Sequence, residues 1–343
     1  MSRLNGFRQH LHLTGSETDA DAPLLERLPS RDVGDAQSDL PTLSHRLRYT
    51  SSILAITLSD EHIYAGTQAG EILVYCLKTY ERLAVIDGHR GSVLALCLSA
   101  DQDLLFSGAG DRIVNVWYTK SLTRACCLYS SYDIGDIFTV SYSASLRTVY
   151  VGAQNTTIQW CGLQDEPDQK DLSLSAVHPS LRDDPFFDSR GPGGIATPRP
   201  ADAHITPLHA VGGRTIEIPR ANVKHFAHYG YVYCMLLIRE GVQEAAGQEV
   251  LATGGGDGVV KLWRLCEERG GAIEELFTLD DGREEGHSVL SIALDGTFLY
   301  TGRSGGELDV WDLETRQLVR NIKAHRDDAV SYTHLTLPTK RIV

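Results

Sequence analysis

The sequence predicts an all-β protein assembled from repeated four-stranded units, and three observations carry that prediction. Four segments align on a small residue followed by Gly, a tight polar turn, and an apolar strand ending in an aromatic. They are "AGTQAGEILVY" (65 to 75), "SGAGDRIVNVW" (107 to 117), "TGGGDGVVKLW" (253 to 263) and "TGRSGGELDVW" (301 to 311), with a shorter fifth, "VGAQNTTIQW" (151 to 160). All four tryptophans, at 117, 160, 263 and 311, are expected in one equivalent slot, which Tyr75 fills in the first copy; slot spacings are 42, 43 and 48 residues, with one gap of 103. Each copy also alternates apolar and polar residues at period two between Gly/Asp turns, as half-buried antiparallel strands require. No such unit can bury both faces alone, so neighbouring units must stack.

The elements follow in order. Residues 1–44, opening "MSRLNGFRQHLHLTGSETDADAP", contain no apolar run long enough for a signal sequence and are expected to form a disordered tail. The repeats are expected across 45–330, and no segment approaches a membrane span. A formal net charge of −13, from 45 acidic against 32 basic residues without a long Lys/Arg run, disfavours nucleic acid as a partner. Seven cysteines without a C-x-x-C pair, most of them in apolar runs, are expected as buried reduced thiols and point to the cytoplasm. The sequon at Asn155 carries little weight in that compartment.

The repeats resemble the WD40 family, whose units of about 40 to 45 residues each form one four-stranded blade of a β-propeller. In that family a His from the inter-blade loop, an Asp in the tight turn, a Ser/Thr in the second strand and a Trp in the third form a buried chain of hydrogen bonds. The resemblance implies two full tetrads here, His89, Ser107, Asp111 and Trp117, and His228, Thr253, Asp257 and Trp263. Indole would donate to hydroxyl, hydroxyl to imidazole, and imidazole to a carboxylate that also caps turn amides. Ala69, Asn155 and Gly305 stand at the Asp position of the other copies, which are expected to rely on strand packing.

An Asp–His–Ser set also invites a hydrolase interpretation. Here the Ser or Thr precedes a Gly inside a strand and the Trp competes for its hydroxyl, which favours structure over catalysis. "GRSGG" at 302 to 306 matches G-x-S-x-G but lies in a strand-to-strand turn rather than on a strand-to-helix elbow. "TGGGDG" fits neither a Walker A loop nor a dinucleotide fingerprint, and no H-E-x-x-H or Cys/His zinc spacing occurs. No catalytic, cofactor-binding or metal residue is therefore assigned in this chain.

The long gap between copies holds a Pro-rich insertion, assigned to 162–224, that includes "HPSLRDDPFFDSRGPGG". Its aromatic pair, Phe186 and Phe187, is a candidate surface anchor, and His178, Asp183, Asp184 and Asp188 lack metal-ligand spacing. With "IEIPRANVKHFAHYGYVYCM", "FSGAGDRIVNVW" and "VGAQNTTIQW", this insertion resembles the fungal glutathione-degradation (Dug) family, in which one subunit joins a WD40 propeller to an M20-type metallopeptidase domain. The resemblance implies a role in hydrolysing glutathione or related γ-glutamyl and Cys-Gly peptides with a glutamine-amidotransferase-like partner. Zinc or another divalent metal would belong to the peptidase domain, whose ligands do not occur in these residues. The alternative is a stand-alone cytoplasmic WD40 adaptor with no enzymatic role.

After "AHRDDAV" the repeat pattern calls for another strand, turn and aromatic. The chain continues instead as "SYTHLTLPTKRIV", so 331–343 are expected to be a non-native read-through tail. On that expectation about five blades are present, truncated from seven.

Overall fold

A computed structural model describes residues 47–163, 214–239, 242, 247–282 and 287–325. The expected tail over 1–44, the non-native tail at 331–343 and most of the Pro-rich insertion, with Phe186 and Phe187, lie outside the described residues.

The described chain is built from five sheets, and each opens with three consecutive antiparallel strands. Blade 1 comprises β1 (Ile53–Leu58), β2 (His62–Thr67), β3 (Glu71–Cys76) and β4 (Arg82–Asp87). Blade 2 comprises β5 (Val93–Leu98), β6 (Leu104–Ala109), β7 (Ile113–Tyr118) and β8 (Arg124–Ser130). In blade 3, β9 (Ile137–Ser143), β10 (Thr148–Ala153) and β11 (Ile158–Gly162) precede the insertion. Two strands follow it, β12 (Arg214–Ile218) and β13 (Val223–Lys224). Blade 4 holds β14 (Val232–Ile238), β15 (Val250–Gly255), β16 (Val260–Cys266) and β17 (Ala272–Leu279), and blade 5 holds β18 (Val289–Asp295), β19 (Phe298–Arg303), β20 (Glu307–Asp312) and β21 (Gln317–Lys323).

The first strands pack in succession, β1 on β5, β5 on β9, β9 on β14 and β14 on β18. The repeated small-Gly pair explains how closely they approach. A Cβ on Gly66 would lie 2.6 Å from Val93 Cγ1, and one on Gly254 would lie 2.5 Å from Val289 Cγ1. The second strand of blades 1 to 4 must therefore present bare backbone to the next blade. Every first strand carries a β-bulge at its second residue, for example between Val93 and Ala95 and between Val232 and Cys234. The tight turn between second and third strands puts its last residue in the left-handed region in all five copies: Gly70, Arg112, Thr156, Gly258 and Gly306, at φ 93, 68, 71, 81 and 79.

Alternation sorts each blade into two faces. In blade 2, Leu96, Leu105 and Trp117 pack against Tyr64, Ile72, Val74 and Ile86 of blade 1. Phe106, Val114 and Val116 point the other way, toward Val140 and Val149 of blade 3. Blade 5 departs at one face. Tyr300, Leu308 and Val310 are only partly buried and Ile322 is 36% exposed, whereas their blade 2 counterparts Phe106, Val114, Val116 and Leu128 are at most 1% exposed. Among the described residues no strand covers that face.

Two expectations need correction. Trp160 does not occupy the tryptophan slot. In blades 2, 4 and 5 the slot residue pairs with the position two before the Ser or Thr: Trp117 with Leu105, Trp263 with Leu251, Trp311 with Leu299. In blade 3 the pair at that register is Val149 with Cys161, while Trp160 pairs with Tyr150. The copy is one residue shorter, and a shift of one flips a side chain to the opposite face. Trp160 consequently packs forward against Trp263, Leu251 and Val232 of blade 4, and Cys161 fills the slot among Phe106 and Cys126 of blade 2.

The stretch assigned as loop up to residue 224 also becomes strand from Arg214 onward. β12 adds a fifth strand to blade 2, parallel to β8 over five residues from Arg214 opposite Cys126 to Ile218 opposite Ser130. Ile216 and Ile218 join the core beneath it. β13 then supplies the outer strand of blade 3 against β11. "RTIEI" has the alternation of an edge strand, but it follows a proline-rich composition that hid it.

Candidate functional site

The tight turns and inter-blade loops hold the polar chemistry. In blade 2, His89 Nδ1 lies 3.1 Å from both carboxylate oxygens of Asp111, and His89 Nε2 lies 2.7 Å from Ser107 Oγ. Trp117 Nε1 donates to Ser107 Oγ at 2.9 Å. Blade 4 repeats the arrangement: His228 Nδ1 to Asp257 Oδ1 at 2.9 Å, His228 Nε2 to Thr253 Oγ1 at 2.8 Å, and Trp263 Nε1 to Thr253 Oγ1 at 2.8 Å. Since indole can only donate, the hydroxyl proton goes to Nε2 and the imidazole donates from Nδ1 to the carboxylate. The carboxylate also accepts backbone N–H groups, Arg90 and Ile113 onto Asp111, and Tyr229 and Val259 onto Asp257. Burial pushes the Asp257 carboxyl upward, but the hydrogen bond and charge of His228 and the two amides outweigh it and hold its pKa below the ordinary carboxylate value.

These groups are sealed from solvent. Ser107, Thr253 and His228 are 0% exposed and Trp263 is 0% exposed, so neither hydroxyl can meet a substrate. The arrangement fixes the loop before each blade to the turn within it. Among the described residues no group of three or more His, Cys, Asp or Glu side chains is placed to hold a metal ion. Five of the seven thiols are likewise buried, with Cys97 and Cys161 pushed up to about 11 and Cys126 to about 12, chiefly by burial, whereas the half-buried Cys76 is lowered by its hydrogen bond with Thr79.

Where the Asp is missing, the chain makes other arrangements. In blade 3, Asn155 caps its own turn, accepting from Thr157 Oγ1 at 2.7 Å and donating to Asp133 O at 3.2 Å. In blade 5 Trp311 still donates to Thr301 Oγ1, at 3.3 Å, but His287 Nδ1 bonds Ser304 O at 2.6 Å and remains exposed. A buried ionic hub takes over instead. Arg303 Nε lies 2.6 Å from Asp309 Oδ2, and Arg303 Nη2 lies 3.3 Å from Asp281 Oδ2 and 2.9 Å from Gly258 O in blade 4. Asn321 Nδ2 completes the hub with a 2.6 Å bond to Asp309 Oδ1. Sequence reasoning missed it, although the signal was present. Arg303 stands where blades 2 and 4 have Ala109 and Gly255, and Asp309 lies two residues before the tryptophan, where they have Asn115 and Lys261.

Blades stacked through such loops and faces define a β-propeller repeat protein. The profile described as WD domain, G-beta repeat matches residues 80–118, and the chain belongs to the WD40-repeat family. It is similar to the protein described as "Probable di- and tripeptidase DUG2" of Saccharomyces cerevisiae, 31% identical over 321 residues, covering 84% of this chain and 37% of that protein. It is also similar to the human Kinesin-like protein KIF21B, 22% identical over 338 residues, covering 95% of this chain and 18% of that protein. The chain thus spans well under half the length of either relative. WD40 repeats mediate protein–protein interactions, and that general role extends to this chain. No helix among the described residues is long and apolar enough to cross a membrane.

Proposed function

We propose that this chain is the protein-docking propeller of a larger peptidase subunit of the glutathione-degrading type. The observation that carries the proposal is the 31% identity to a probable di- and tripeptidase across 84% of this chain, which reaches well beyond the single repeat matched by the family profile. Buried tetrads and bare-glycine contacts make the blades rigid, and rigid blades with loops at their ends suit docking. The chemistry, hydrolysis of glutathione-related or Cys-Gly peptides with zinc or another divalent metal, belongs in this proposal to an M20-like domain elsewhere. A glutamine-amidotransferase-like subunit is the proposed docking partner, and the proposed compartment is the cytoplasm.

A second possibility, a WD40 adaptor without enzymatic association, is favoured by the similarity to kinesin-like proteins over 95% of this chain. The two are separated by a pull-down with the amidotransferase-like partner combined with a peptidase assay on the longer protein, with and without the propeller. The peptidase proposal expects partner capture to depend on the propeller and the isolated propeller to leave Cys-Gly intact. Loss of neither capture nor activity on deleting the propeller would refute the docking role, whereas a longer protein that shows neither peptidase activity nor partner capture would favour the adaptor.

A further inference from the structure

Blade 2 carries one strand more than the repeat requires. The other four sheets hold four strands each, whereas blade 2 adds β12 to the outer edge of β8, in the only parallel pairing among the described strands. Outermost strands elsewhere are largely open to solvent: one of six residues is buried in β4, three of eight in β17 and none of seven in β21. In β8, with β12 beside it, six of seven are buried. Both faces of the added strand contribute. Ile216 and Ile218 enter the core with Cys126 and Leu128, while on the other face Cys127 Sγ lies 3.5 Å from Thr215 Oγ1 and the Tyr129 hydroxyl donates to Glu217 Oε2 at 3.3 Å.

The two ends of β12 are held differently. Residues 163–213 separate it from β11, so seating it on β8 closes a long loop at a cost in chain entropy. On the other side, the Asn222 N–H donates to Pro219 O at 2.8 Å and Asn222 O accepts the Trp160 N–H at 3.2 Å, which anchors the chain on blade 3 again just past Ile218. That turn is a hinge about which the five residues of β12 can leave while β13 stays in place. What remains, β5 to β8, is a sheet of four strands like the other blades. Parallel pairing is also slightly weaker per residue than antiparallel, and short edge segments are the first to open in local unfolding. Their departure uncovers a row of backbone N–H and C=O groups on β8, which another strand can pair.

We propose that β12 is a detachable strap over a strand-docking edge: it lifts off β8 while the four-stranded blades stay folded, and an extended segment of a protein partner with the same side-chain pattern takes its place. The strand seated there defines that pattern, with β-branched apolar residues at alternate positions toward Leu128 and Ser130, a small hydroxyl residue opposite Cys127 and an acceptor for the Tyr129 hydroxyl. This rests on the docking role above, to which it adds a location and a mode, but not on the peptidase association.

The test labels the native thiols of the intact chain with iodoacetamide, without denaturant, and reads each cysteine by mass spectrometry. Static burial would make Cys127, at 0% exposed, react after Cys97 at 8% and Cys234 at 2%. An opening strap inverts that order, and Cys127 is expected to react at least about tenfold faster than either. Ile216→Ser combined with Ile218→Ser should raise Cys127 labelling about tenfold further, while amide exchange in β6 and β7 stays as in the parent. In that variant the synthetic peptide RTIEIPR, residues 214–220, should slow Cys127 labelling when supplied at roughly millimolar concentration, the level a tethered strap reaches by itself. Its counterpart with both isoleucines replaced by serine should not. Cys127 labelling no faster than that of Cys97 and Cys234 in the parent, or a rise at all three in the variant, overturns the strap. Fast labelling that RTIEIPR leaves unchanged overturns the docking edge, and the partner pull-down tests the peptidase association separately.

Discussion

Blades 4 and 5 are neighbours that share the small-Gly pair, the tight turn and the tryptophan of the repeat, yet they solve the same problem differently. Both place a hydroxyl, Thr253 or Thr301, beneath a tryptophan indole, and both have a His in the preceding loop. In blade 4 the Asp257 carboxylate draws His228 inward to 0% exposure. In blade 5 the equivalent position is Gly305, at φ 86, and His287 finds only a backbone carbonyl outside. The inward place next to blade 4 goes to Arg303 and its two carboxylates. A single carboxylate in a turn thus decides whether a blade is held by a hydroxyl–imidazole–carboxylate chain or by a buried arginine–carboxylate hub.

The largest effect is expected from breaking the charged hub. Arg303 is 5% and Asp309 0% exposed at the side chain, so Arg303→Ala strands a buried carboxylate and should destabilise the fold by about 3–5 kcal/mol in denaturant melts. Arg303→Met combined with Asp309→Leu should recover most of that loss, and failure to do so would mean the hub does more than balance its own charge.

Next come the two histidines. His228→Ala leaves Thr253 and Asp257 without their partner and should cost about 1–3 kcal/mol. His287→Ala, at an exposed ring, should stay within about 0.5 kcal/mol. Equal losses at the two sites would remove the distinction between the blades.

A smaller difference separates the tryptophans. Trp117 donates to Ser107, whereas the indole N–H of Trp160 meets no acceptor among the described residues. Trp117→Phe should therefore cost about 1 kcal/mol more than Trp160→Phe.

The finest test is pH. Because the fold holds the Asp257 carboxyl below 3.8, its contribution is fully present above that pH and is lost as pH falls through the folded value. Asp257→Asn should melt earlier than the parent at neutral pH and show a flatter fall in Tm on acidification below about pH 4.

Much of this was legible in the sequence because it lies in local pattern. The small-Gly pair, the turn carboxylates at 111 and 257 and the alternating strands are repeats of one steric requirement, and repetition makes them visible. Trp160 shows where that logic fails. Aligning by residue type put it in the tryptophan slot, but strand register, set by the preceding turn, sends it to the other face. The Arg303 hub was hidden differently: its members are spread over Asp281, Arg303, Asp309 and Asn321, and no local motif links them.

The parallel strand β12 also orders events in time. Blade 2 is complete only when Glu217 arrives beside Tyr129, 88 residues later in the chain, after all three preceding strands of blade 3 have been made. At ribosomal speeds that interval is roughly 4–18 s, during which β8 presents an unpaired edge to any passing strand. Among the described strands, β12 on β8 and β13 on β11 are both stitches that close late, and correct folding depends on those edges staying free until their own chain returns.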